Sequence, residues 1–143
     1  MTGYLIDTNV ISELRKPKAD PRVEAFVAAQ PLSSLFVSVV TLAELRFGIE
    51  RLDDPVRRET FKAWLNARVR PMFDGRILPV SEDVMVVWRV LVDQGRRGNH
   101  TFTQPDLIIA ATALQFGLTI VSRDVSGFAR TNVPLINPWD ASG

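Results

Sequence analysis

Apolar positions along this chain fall into two alternating kinds of segment. Short runs are apolar on consecutive positions: "YLI" (4–6), "LFVSVV" (35–40), "RILPV" (76–80), "LTIVS" (118–122) and "PLIN" (134–137). That is the pattern of short strands buried on both faces. Between them lie longer stretches with helical periodicity. A helix is expected from Thr8 to Lys16, stopped by Pro17, and a second over 20–29 with Pro21 in its first turn. "TLAELRFGIERL" (41–52) is apolar at 42, 45, 49 and 52, one helical face. A long amphipathic helix is expected over 54–73, with Phe61, Trp64 and Leu65 on its apolar side. Another spans 81–95, from a Ser81 cap to a Gly95 stop. "PDLIIAATALQFG" (105–117) is apolar almost throughout and should be buried. "GRRGNHTFTQ" (95–104) reads as a polar, basic loop, and "RDVSGF" (123–128) as a turn or short helix.

Short two-sided strands alternating with helices imply an α/β fold with a mainly parallel sheet covered by helices. A length of 143 residues suits one domain, 1–143. Such sheets bind ligands beyond the carboxyl ends of their strands. Four acids fall at strand-to-helix junctions or helix starts. Asp7 ends the first strand, Glu44 lies in the first turn after the second, Asp106 opens the buried helix, and Asp124 follows "LTIVS". Each also has a local explanation. Asp7 can cap the helix at Thr8. "TLAE" (41–44) and "TQPD" (103–106) fit the capping-box pattern, and Asp124 can make a turn. Capping makes each acid acceptable singly; it does not explain all four together.

Carboxylates gathered at one edge repel unless protonated or neutralised by a cation. Oxygen donors without His or Cys suit Mg²⁺ or Mn²⁺. The matching chemistry is phosphodiester hydrolysis, in which the cation activates water and stabilises the leaving oxygen. Thr8, Asn9, Thr41 and Ser122 stand close in sequence and could orient waters or carboxylates.

Composition narrows the field. Cysteine is absent, which excludes disulfides, thiolate zinc and cysteine nucleophiles, and fits a reducing cytosol. No apolar run reaches the ~18–20 residues of a membrane span, so a cytoplasmic protein is expected. Net charge is only +1, but 14 of the 17 basic residues are Arg, the better partner for phosphate. Arg123, beside Asp124, is the first candidate for a substrate phosphate contact; Arg96 and Arg97 are others. A salt bridge or a solvated loop charge would explain them as well. His100 is the sole histidine, and no G-x-S-x-G elbow accompanies it.

The segments "YLIDTNVISEL", "SVVTLAELRFGIERL" and "PDLIIAATALQFGLTIVSRDVSGF", with the closing "VPLINPW", resemble the PIN-domain nucleases, most of all the VapC/FitB branch of bacterial toxin–antitoxin ribonucleases. The resemblance covers essentially the whole chain. It implies a three-layer α/β/α sandwich and a Mg²⁺- or Mn²⁺-dependent endoribonuclease acting on tRNA or rRNA. The metal-binding motif acids fall on Asp7, Glu44 and Asp106, with Asp124 at the assisting fourth position, often Asn in the family. It further implies a homodimer, a heterotetramer or larger assembly with a VapB/FitA-like antitoxin, promoter DNA bound only through that antitoxin, and no membrane. The helix pair around 41–73 is a plausible antitoxin groove. The alternative is a non-catalytic PIN-like module that binds RNA or protein. A phosphoacceptor domain using Asp7 fits less well: Asn9 stands where a dehalogenase-type site wants Asp, and no Lys follows Lys62.

Overall fold

The structure is a computed structural model that describes residues 3–98 and 103–140. Its strands are β1 (Tyr4–Ile6), β2 (Leu35–Ser38), β3 (Ile77–Leu78), β4 (Thr119–Val121) and β5 (Leu135–Ile136). All pair in parallel, in the order β3-β2-β1-β4-β5. Central β1 sets Leu5 beside Phe36 of β2 and Ile120 of β4. The chain winds from β1 out to β3, then returns to β4 on the other side of β1. The strand order therefore reverses between β1 and β4, which opens a crevice at their carboxyl ends.

The helices are α1 (Thr8–Arg15), α2 (Pro21–Ala29), α3 (Val39–Glu50), α4 (Pro55–Trp64), α5 (Arg70–Met72), α6 (Glu82–Arg97), α7 (Gln104–Phe116) and α8 (Val125–Phe128). Successive β1 side chains point to opposite faces. Ile6 packs with Val10, Ile11, Leu42 and Phe73; Leu5 packs with Leu107, Ala110, Ile120 and Phe128. Two cores on one sheet make the α/β/α sandwich, each large buried side chain contributing about 1.5–3 kcal/mol. Small Ala110, Ala111 and Ala113 are wholly buried, as expected for the apolar helix α7. No helix among the described residues is long and apolar enough to cross a membrane.

Three boundaries differ from the sequence expectation. β2 stops at Ser38 because its hydroxyl accepts from Val40 N (3.0 Å) and caps α3, so Val39 and Val40 turn helical. Thr41 is thus not a cap, and Glu44 lies in the second turn of its helix, not the first. The expected helix over 54–73 is interrupted by a π-helical segment (Leu65–Val69). Pro71 lacks an N–H and its ring crowds the carbonyl four residues back; the wider turn accommodates it. α6 runs through Gly95, which is buried in its last turn, and ends at Gly98. Residues 95–97 of the expected loop are therefore helical, while 99–102, with His100, lie outside the described residues.

Candidate metal centre

Asp7 follows β1 directly. Its N–H still donates to Val121 O of β4 (3.0 Å), while its carbonyl accepts from Val10 N at the start of α1 (3.1 Å). Its Oδ1 accepts from Thr8 N (2.9 Å) and its Oδ2 from the Ser122 hydroxyl (2.7 Å). Capping and site-building are thus one arrangement, in a residue only 6% exposed.

Ser122 is the hub. Fully buried, it donates to Asp7 and accepts from Asn9 Nδ2 (3.1 Å) and Asp124 N (3.0 Å). A hydroxyl offers one donor and two lone pairs, and all are used. Asn9 Oδ1 in turn accepts from Arg123 N (3.1 Å). Side chains from the ends of β1 and β4 therefore lock the crevice where the strand order reverses.

The other acids approach from helices. Thr8 Oγ1 donates to Glu44 Oε1 (3.3 Å), linking α1 to α3. Asp124 caps α8, its Oδ1 accepting from Gly127 N (3.1 Å). Asp106, in the first turn of α7, meets Asp124 over Gly127. A Cβ at Gly127 would stand 2.8 Å from Asp106 Oδ2 and nearer still to the Asp124 carboxylate. Gly127 is thus a space the site needs. A glycine within "RDVSGF" is its only mark in the sequence, and that pattern by itself says no more than turn or short helix.

The charges feel one another. Burial raises the Asp7 carboxyl, its Ser122 and Thr8 hydrogen bonds lower it, and the Asp124 charge raises it further. Glu44 is raised by burial and by Asp7, against the Thr8 bond. Asp106 is pushed up to about 6, first by burial and then by a hydrogen bond shared with Asp124; Thr103 partly offsets this, and the Asp124 and Asp7 charges add to it. A shared proton between two carboxylates marks a place where a cation can sit instead.

The donors fit a hydrated divalent ion. They are carboxylates and hydroxyls, hard oxygens suited to Mg²⁺ or Mn²⁺. Among the described residues, no three His, Cys, Asp or Glu residues close into a ready-made metal cage. Mg²⁺ does not require one: it keeps several waters and is held by one or two carboxylates plus substrate oxygens. Asp106 and Asp124 would hold it as that pair; Asp7 is coupled to Asp106 through its charge, and Glu44 to Asp7.

Of the other residues singled out from sequence, Thr8, Asn9 and Ser122 join the site as described. Thr41 makes no such bond: its hydroxyl is buried without a hydrogen-bond partner among the described residues. The Arg123 guanidinium lies over the Trp139 ring, 5.0 Å from its centroid, and its charge adds to the lowering of the Asp20 carboxyl that the Arg22 hydrogen bonds chiefly cause. It tethers the chain's last described segment. Arg96 and Arg97 are exposed on the last turn of α6.

The sequence matches the PIN domain family over residues 4–133. It is 38% identical to a VapC ribonuclease of Sinorhizobium fredii across 95% of this chain and 97% of that one. It is 35% identical to the toxin FitB of Neisseria gonorrhoeae, across 94% and 97%. Among solved structures, the fold resembles that of FitAcB from Neisseria gonorrhoeae with a TM-score of 0.90 at 34% identity, covering 95% of this chain and 98% of that one.

Proposed function

The chain belongs to the PIN domain family, and we propose that within it the chain is the toxin of a toxin–antitoxin module, a Mg²⁺- or Mn²⁺-dependent endoribonuclease that hydrolyses tRNA or rRNA. The observation that carries this reading is the Asp106–Asp124 carboxylate pair, set beside Ser122-bound Asp7 in the crevice between β1 and β4. Relatives named as a ribonuclease and as a toxin, each aligned along nearly its full length, support it.

A bound divalent cation would supply activation of water and neutralisation of charge on the scissile phosphate. The chain's own residues prepare that place. Ser122 and Thr8 N hold Asp7 in one rotamer, and Asn9 and Asp124 N fix Ser122 in turn. Thr8 aims Glu44 toward the same crevice. Gly127 leaves Asp106 and Asp124 room to approach each other. Gly127→Ala tests this last role. It should lower cleavage about 10–100-fold, the usual cost of disturbing groups that orient ligands. Its melting temperature should hardly change, since Ala otherwise favours a helix over Gly by about 1 kcal/mol. Full activity in this variant would show that the gap is not needed.

Solved relatives include FitAcB and a FitAB complex bound to a DNA fragment. With the family resemblance, these support a cognate antitoxin, promoter DNA reached through it, and a second copy of the toxin as the proposed partners. A groove lined by Thr8, Glu44, Gly48, Leu52 and Trp64 leads along α1, α3 and α4 to the acidic site, which suits an inhibitor segment that ends at the acids.

The function is tested with antitoxin-free protein and total tRNA and rRNA. Cleavage should occur with millimolar Mg²⁺ or Mn²⁺ and stop in EDTA. Intact RNA under every metal condition would refute the nuclease and favour the non-catalytic binding module.

A further inference from the structure

Most of the fourteen arginines are committed to other groups. Arg22, Arg46 and Arg89 pair with acids, Arg58 and Arg76 bond backbone carbonyls, and Arg15 lies on Phe61. Arg123, the arginine nearest the acids in sequence, is stacked on Trp139. Only Arg68, Arg96, Arg97 and Arg130 have no ion pair, hydrogen bond or ring contact among the described residues. Arg68 lines an apolar cavity with Leu14, Val27 and Trp64. The other three lie together. Arg96 and Arg97 end α6, and Arg130 Nη1 stands 4.0 Å from a Cβ placed at Gly98, the residue closing that helix.

This cationic group flanks the acidic site. Arg130 lies three residues after Gly127, on the turn following α8, the helix that Asp124 caps. Trp88 Nε1 donates to Gln104 Oε1 (3.0 Å), fixing the start of α7, and with it Asp106, against the middle of α6. From Trp88, α6 continues nine residues to Arg97, about 13 Å.

We infer that Arg96, Arg97 and Arg130 form a phosphate-binding flank that holds the RNA backbone where it leaves the acidic site on the α6–α8 side. The inference rests on the ribonuclease reading and specifies where that substrate runs. Arg is well suited to it, because its fork of donors matches phosphate oxygens and it stays charged at any working pH. A purely structural role is the competing explanation, since cations complement the carboxyl end of a helix. That role would change melting and leave RNA binding alone.

The test uses bulk tRNA as the probe, bound in EDTA so that it is not cut, at a series of salt concentrations. Arg130→Gln and the double variant Arg96→Gln/Arg97→Gln should each bind more weakly, by about threefold to tenfold at 0.1 M salt. Their plots of log affinity against log salt should be shallower than that of the unmodified chain by about 0.7–0.9 for each phosphate no longer neutralised. With metal restored, KM should rise and kcat hold. Arg68→Gln should behave as the unmodified chain. Unchanged slopes and unchanged KM in both flank variants, while the unmodified chain binds and cleaves, would overturn the flank alone. An unmodified chain that neither binds nor cleaves would overturn the flank together with the ribonuclease reading.

Discussion

Asp106→Asn should reduce RNA cleavage by about 10²–10³-fold, in line with removal of one catalytic electrostatic group, and should make the metal-free protein more stable. The two effects have one cause. The Asp106 carboxyl is pushed up to about 6 by burial and by Asp124 beside it, so at neutral pH the fold holds two ionised carboxylates together at a cost. Asn keeps the shape, still accepts from Thr103, and removes one of the charges. Asp106 is only partly buried, so solvent screens much of the repulsion. A gain of roughly 1 kcal/mol corresponds to a melting increase of about 2–4 °C in a chain of this size. A structural cap behaves oppositely: its removal would lower melting and spare activity. Melting and cleavage measured on one preparation separate the two.

The second large effect concerns pH and metal. Asp7, Glu44 and Asp106 all have carboxyls raised in the folded state. A raised carboxylate contributes stability that is complete below its unfolded value, near pH 4, and is lost as pH rises through the folded value, about 6 for Asp106. Metal-free protein should therefore melt lower at pH 7.5 than at pH 5. Glu13 and Asp20 are lowered and already ionised across that window, so they add no slope. Mg²⁺ should cancel the fall, because a cation replaces the proton between the carboxylates. At a concentration 100 times its dissociation constant it would add about 2.7 kcal/mol. The fall should shrink in Asp106→Asn, which ties it to that carboxyl. Identical melting at both pH values, with and without Mg²⁺, would mean the acids are not gathered in solution.

Much of this was legible in the sequence because the two periodicities are local. Buried strands on consecutive apolar positions and helices at 3.6 residues placed nearly every element, and with them the acids at strand ends. What the sequence hid was set by tertiary competition. "LFVSVV" looks like strand to its end, yet Ser38 accepts from Val40 N and starts α3 two residues before the apparent capping box. That frees both Thr41 and Glu44 from a capping role. Gly95 looks like a stop, but it is buried and α6 continues to Gly98, carrying Arg96 and Arg97 on helix instead of loop. Arg123 looks like a phosphate contact because it adjoins Asp124; its guanidinium also stacks on Trp139, a contact seen only in three dimensions. Gly127 and Arg130 escape a sequence reading because neither has a pattern of its own. Their importance depends on Asp106 and on the end of α6, both distant in sequence.

Whether Asp7, Glu44, Asp106 and Asp124 form one cation site at which RNA is cut is decided by a Mn²⁺ titration followed by electron paramagnetic resonance, with RNA cleavage read in the same samples. The unmodified chain should bind Mn²⁺ and gain cleavage in step with occupancy, and Asp7→Asn and Asp106→Asn, still folded, should lose both. Cleavage that persists in EDTA, or an Asp106→Asn protein that binds Mn²⁺ and cuts RNA as well as the unmodified chain, would rule the shared site out.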